Sequence, residues 1–115
     1  MSNANTFYDG TTVSLAAGSW FVTGFITLGK AATSITRYTA RISDGTVHYA
    51  SSQMTQPSQN PHYINICMSC LIVLASPTVI KIQAAATTTG CLIKRSCADN
   101  ASGNNATQIL ALKYA

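Results

Sequence analysis

Glutamate is missing from this 115-residue chain, and Asp9, Asp44 and Asp99 are its only acids. With so few carboxylates, a general acid–base pair or a glycosidase-type dyad has almost no members to draw on. Charged residues make up 9% of the chain, against about 25% in ordinary soluble domains. The surface must therefore be covered by Ser, Thr, Asn, Gln and Ala, which suits lasting contact with other subunits. Seven cations (Lys30, Arg37, Arg41, Lys81, Lys94, Arg95, Lys113) give a net charge of +4, but they are scattered along the sequence. A nucleic-acid binder gathers its cations into a stripe with interleaved aromatics. No nucleic-acid partner is expected, although the excess charge would steer the chain toward an acidic protein surface.

Other absences narrow the reading further. The longest apolar run, Ile64 to Ala75, is interrupted by Asn65 and Ser69 and is too short to span a bilayer. The opening MSNANTFYDG lacks the basic-then-apolar pattern of a secretory signal, so synthesis in a cytoplasm and no membrane partner are expected. Without export, Asn100-Ala-Ser and Asn105-Ala-Thr read as loop sequence rather than glycosylation acceptors. No GxSxG or HExxH motif accompanies His48 or His62, and a Ser-His-Asp grouping in space is a story that most chains permit. The chain is read as a non-enzyme.

Four cysteines are present. Cys67 and Cys70 form a CxxC, but they fall within a run that reads as a strand, where residues three apart point to opposite faces. No Gly or Pro between them offers the tight turn of a zinc knuckle, and the strand–helix context of a redox motif is missing. They read as small apolar residues in reduced form. Cys91 and Cys97 share a face and could bridge a hairpin, against which a cytoplasmic origin argues. The stretch Asp99 to Asn105 sets one carboxylate among neutral amides, too few for a calcium loop. No metal or cofactor is expected.

What the chain does have is alternation. Ile64, Ile66, Met68, Cys70, Ile72 and Leu74 occupy every even position of a segment that ends at Ser76-Pro77, which is the pattern of a half-buried strand. Trp20, Val22, Gly24, Ile26 and Leu28 repeat it, with Gly24 marking a bulge or a close crossing by another backbone. Tyr38, Ala40 and Ile42 form the inward side of a strand over Thr33 to Ile42. Asp44-Gly45 signals a hairpin into a short strand from Thr46 to Ala50. Ser51 to Pro61 reads as a surface loop. Thr78 to Ala84 (Ile80, Ile82 and Ala84 inward), Cys91 to Cys97 and Thr107 to Tyr114 follow, the last with Gln108, Leu110, Leu112 and Tyr114 on one face. With Thr12 to Leu15 at the start, about eight short strands and no helical period predict an all-β antiparallel sandwich or jelly roll. One domain is expected over residues 11–115, preceded by an arm over residues 1–10.

Several strands are apolar on both faces. Phe21 and Phe25 lie opposite the Trp20 series, and Leu71 and Val73 opposite Ile72. One face fills the core, and subunit packing would cover the other. Phe21, Phe25, Arg37, Arg41, Leu71 and Val73 are the candidate interface.

The order of motifs resembles the small jelly-roll domains of tailed bacteriophages, which are similar to the tumour-necrosis-factor and complement globular-head folds. The resemblance is carried by VSLAAGSWFVTGFITL (Val13 to Leu28), LIVLASPTVIKIQA (Leu71 to Ala84) and the closing CLIKRSCADNASGNNATQILALKYA. It spans nearly the whole chain from Thr11 and rests on turns and core positions. It implies a homotrimer displayed on a virion, after synthesis in the host cytoplasm. Two roles follow from it. A cement or decoration protein would bind the major capsid protein on the outside of the head, with the arm Ser2 to Asp9 docking and Lys30, Arg37, Arg41 or Lys94 meeting acidic shell residues. A fibre tip would bind a host surface receptor through Gln53, Gln56, Gln59, Asn60, His62, Asp99, Asn100, Asn104 and Asn105. No stalk precedes the first strand, so the decoration role is the expectation.

Overall fold

The computed structural model describes residues 1–30, 35–56, 62–94 and 106–115. Eight strands account for most of them: β1 (Tyr8–Leu15), β2 (Gly18–Lys30), β3 (Thr36–Ser43), β4 (His48–Gln56), β5 (His62–Leu74), β6 (Thr78–Ala86), β7 (Leu92–Lys94) and β8 (Gln108–Lys113). The described residues include no helix, so none is long and apolar enough to cross a membrane. The fold is the all-β antiparallel sandwich that the alternation predicts.

The pairing is nested. β3 and β4 form a hairpin, β2 pairs with β5 and β1 with β6, all antiparallel, like a long ribbon folded once at the β3–β4 turn. Rolling that ribbon sets its first and last pairs side by side in a sheet of order β1-β6-β3-β4, here sheet I, and leaves β5-β2 in the opposing sheet II. This is jelly-roll winding. β7 and β8 then share the free edge of β2, β7 against residues 27–29 and β8 against residues 20–25.

Between the sheets lies one core. Val22, Ile26 and Leu28 of β2 and Ile64, Ile66, Met68, Ile72 and Leu74 of β5 meet Tyr38, Ala40 and Ile42 of β3 and Ile80, Ile82 and Ala84 of β6. Each large aliphatic side chain buried this way contributes roughly 1.5–3 kcal/mol relative to an exposed one. Gly24 is the close crossing that its place in a strand suggests. A Cβ there would lie 3.0 Å from the backbone oxygen of Gln108 and 3.2 Å from Ile82 Cδ1. At the β3–β4 turn Gly45 takes φ +102°, while Asp44 Oδ1 accepts from the N–H groups of Thr46 (2.8 Å) and Val47 (2.7 Å).

Some expectations need correction. Residues 51–56 are not loop but the second half of β4, paired with residues 36–41 of β3. The arm is not free: β1 starts at Tyr8, Met1 donates its amino group to Cys91 O at 2.6 Å, and the Asn5 N–H bonds Ala86 O at 2.7 Å. Trp20 sits half-buried at the rim of the core, its indole N–H donating to Ala16 O at 3.0 Å.

One join escaped the sequence reading. Where β7 gives way to β8, the Thr107 hydroxyl accepts the Thr27 N–H at 3.2 Å while donating to Lys94 O at 2.7 Å. Thr27 returns the bond through its own hydroxyl to Ala106 O at 2.6 Å. A pair of threonines thus sews the ends of two short strands onto one edge of β2 and keeps the backbone paired there.

Candidate interface on the outer face of sheet II

Because successive side chains in a strand alternate faces, each sheet has an outer face set by the residues between its core positions. On sheet II those residues line up in rows across β5, β2 and β8. Leu71 and Leu112 flank Phe21, Ser69 and Leu110 flank Thr23, and Cys67 and Gln108 flank Phe25. Val73 lies opposite Ser19, and Tyr114 is held beside it by its N–H bond to Ser19 O at 3.0 Å. Side chains in such rows sit about 5 Å apart and form a continuous surface.

That surface is apolar and open. Leu71 is 67% exposed, Val73 76%, Leu110 58% and Leu112 59%. Several of its polar side chains are paired within the face. The Thr23 and Ser69 hydroxyls bond each other at 3.0 Å, Asn65 Nδ2 donates to Thr27 Oγ1 at 3.0 Å, and the Cys67 thiol donates to Asn65 Oδ1 at 3.0 Å. Lys94 Nζ lies 5.3 Å from the centre of the Tyr63 ring at the far end of the face.

The outer face of sheet I has different chemistry. Asp9 Oδ1 accepts from Gln83 Nε2 at 2.6 Å, Gln83 Oε1 accepts from Arg41 Nε at 2.8 Å, and Arg41 Nη1 donates to His48 Nε2 at 3.2 Å. A guanidinium has no lone pair to offer, so the ring proton belongs on Nδ1, which donates to Ser43 Oγ at 2.9 Å. Lys81 adds an ion pair to Asp9 at 3.3 Å, and the Arg41 guanidinium stacks 3.6 Å from the centre of the Phe7 ring. This relay crosses all four strands. The Gln83 bond, aided by Lys81, holds the Asp9 carboxyl below the usual carboxylate range.

The two faces divide the residues that the sequence reading grouped. Phe21, Phe25, Leu71 and Val73 fall together on sheet II, whereas Arg37 and Arg41 lie on the outside of sheet I, across the sandwich. Leu110, Leu112 and Tyr114, read only as one face of the last strand, complete the apolar surface. Of the recognition-loop candidates, Gln53 and Gln56 belong to β4, Gln53 donating to Thr39 Oγ1 at 3.2 Å. His62 is placed by its backbone pairing with Lys30. Gln59, Asn60, Asp99, Asn100, Asn104 and Asn105 lie outside the described residues.

Among the described residues, groups with reactive chemistry do not converge. Ser43 is close to His48, but it is 0% exposed, also accepts the Gly45 N–H at 2.9 Å, and its histidine is oriented by a cation rather than a carboxylate. Asp44 faces away, its second oxygen accepting the Tyr49 hydroxyl at 3.0 Å. Cys67 and Cys70 point to opposite faces of β5, and burial pushes the Cys70 thiol up. Cys91 is a free, buried thiol bonded to Thr88 O at 3.5 Å, while Cys97 lies outside the described residues. Burial, then the bond with Cys91, pushes the Tyr38 phenol well above its ordinary value. Among the described residues no three His, Cys, Asp or Glu side chains gather as a metal site would require.

Comparison with protein-family models, with curated proteins and with solved structures finds no match to this chain.

Proposed function

We propose that this chain is a structural subunit of a bacteriophage virion, a cement or decoration protein that works as a homotrimer on the outside of the head and reinforces it. A single observation carries the assembly part of this reading. One sheet of the sandwich leaves an apolar outer face uncovered, at roughly the upper end of the 300–600 Å² of the largest patch on a typical monomer, and such patches often mark interaction sites. The virion comes from the resemblance of the three segments named above.

Chemistry distributes the work. The apolar rows of sheet II offer burial, and Arg37 and Arg41 on sheet I offer charge to an acidic shell surface. A non-catalytic role agrees with the use made of the ionisable groups: Asp9, Arg41, His48 and Lys81 form a relay across a sheet, and Asp44 holds a turn. A receptor-binding tip would need recognition loops. Three of its candidates, Gln53, Gln56 and His62, are strand residues, and no described feature favours it.

The test is to mix the purified protein with empty capsids that lack it. Saturable binding at hundreds of copies per particle, with later rupture on heating, is the expected result. No binding, or a handful of copies, would refute the decoration role.

A further inference from the structure

We infer that the outer face of sheet II is covered by a second copy of this same chain, and not by the surface to which the assembly attaches. The inference rests on the proposed assembly role and names the occupant of its apolar face.

Charge is the first reason. From the Ser19 row to the Phe25 row, twelve positions on β5, β2 and the β8 end carry no ionised side chain at neutral pH: Ser19, Val73 and Tyr114; Phe21, Leu71 and Leu112; Thr23, Ser69 and Leu110; Phe25, Cys67 and Gln108. An interface with an unlike partner gains on-rate and specificity from complementary charges. These rows offer no charge with which to select an unlike partner. This chain carries +4 overall yet keeps those rows neutral.

Area is the second. Phe21, Leu71, Val73, Leu110, Leu112 and Tyr114 are between 38% and 76% exposed, and at on the order of 100 Å² each they supply most of a patch. With Thr23, Ser69 and Phe25 between them, the surface reaches the ~800 Å² that one partner gives to an interface of standard size.

Desolvation is the third. At the centre of the face the Thr23 and Ser69 hydroxyls already bond each other, as Asn65 does Thr27 at its far end. Water can leave these groups without orphaning them, a condition that buried polar groups must meet.

The experiment is sedimentation of the full chain alone, without capsids, from micromolar to submillimolar concentration. Three variants go with it: Leu71→Lys and Leu112→Lys on this face, and Thr39→Lys on the outer face of sheet I. The wild type and Thr39→Lys should associate as concentration rises, and the two sheet II variants should need at least about 100-fold more protein to do so, since a cation would be buried in an apolar contact. Circular dichroism reports whether each variant folds, and Leu112→Ser replaces any that does not. A wild type that stays monomeric throughout, or association that survives both sheet II changes, overturns the inference. Capsid binding separates the two levels. A monomer whose capsid binding is lost with Leu71→Lys would show the face meeting the shell, overturning the second copy and leaving the assembly role standing, whereas neither association nor capsid binding would remove both.

Discussion

Sheets I and II share a core and differ on the outside. On sheet I, side chains from four strands bond to one another: Asp9 to Gln83, Gln83 to Arg41, Arg41 to His48 and His48 to Ser43. On sheet II, the corresponding positions are Leu71, Phe21 and Leu112, with hydroxyl pairs between the apolar rows. The same backbone architecture thus produces one face finished for water and one that is not. Exposing the apolar side chains of sheet II forgoes on the order of 15 kcal/mol of transfer free energy, a gross figure from which association subtracts lost rigid-body and side-chain freedom. A remainder of about a third of that would hold subunits together at submillimolar concentration, and a little over half at micromolar.

That contrast can be broken or sharpened by mutation. The largest effect belongs to the ground common to both sheets. Ile82→Ala removes a fully buried side chain that abuts Gly24 across the core and should cost about 2–5 kcal/mol in urea unfolding; a loss under 1 kcal/mol would mean that the two sheets are not packed as described. Next comes Gln83→Ala, which leaves Asp9 and Arg41 without their shared partner. A loss of about 1–3 kcal/mol is expected, with self-association unchanged. Leu112→Ser should show the reverse signature: stability of the monomer within about 0.5 kcal/mol of wild type, and weaker association. If Gln83→Ala and Leu112→Ser gave the same signature, the two faces would not differ in kind.

The smallest expected effect is on acid stability. Asp9 is held below its ordinary value by the Gln83 bond first and Lys81 after it. A depressed folded value means that its contribution is complete above the unfolded value of about 3.9 and fades as pH falls through the folded one. Urea midpoints should therefore drop between about pH 5 and pH 3, and drop less in Gln83→Ala. An equal drop in both proteins would remove Gln83 as the cause. Asp44, held low by the Val47 and Thr46 N–H groups, shifts in the same direction in both.

Much of the inward side could be read from the chain. The even-numbered apolar positions of β2, β5, β3 and β6 are the core, and Asp44-Gly45 is the turn, because alternation and φ > 0 are local properties. β4 could not be read past Ala50. Its second half, SSQMTQ, shows no clean alternation, and its strand state comes from the β3 backbone beside it. That Arg37 and Arg41 lie across the sandwich from the apolar rows could not be read either. Period two says that a side chain points out, but a sandwich has two outsides, and which one is decided by pairings as distant as β1 with β6. The bulge at residues 10–11, which brings Asp9 opposite Gln83, and the threonines joining β7 to β8 depend on the same long-range contacts. The apolar rows were half visible: Phe21, Leu71 and Val73 as second faces, Leu110 and Leu112 as a face without an assigned direction.

Cys67 offers the most direct measurement, since it sits on the outer face of sheet II in the Phe25 row and is exposed. Its alkylation rate, followed by peptide mass spectrometry so that other thiols are resolved, should fall as the concentration of the protein rises and recover on dilution, while in Leu71→Lys it should stay high throughout. A Cys67 rate that is the same at every concentration in the wild type would mean that no second copy covers this face, and the account of self-association through it would be contradicted.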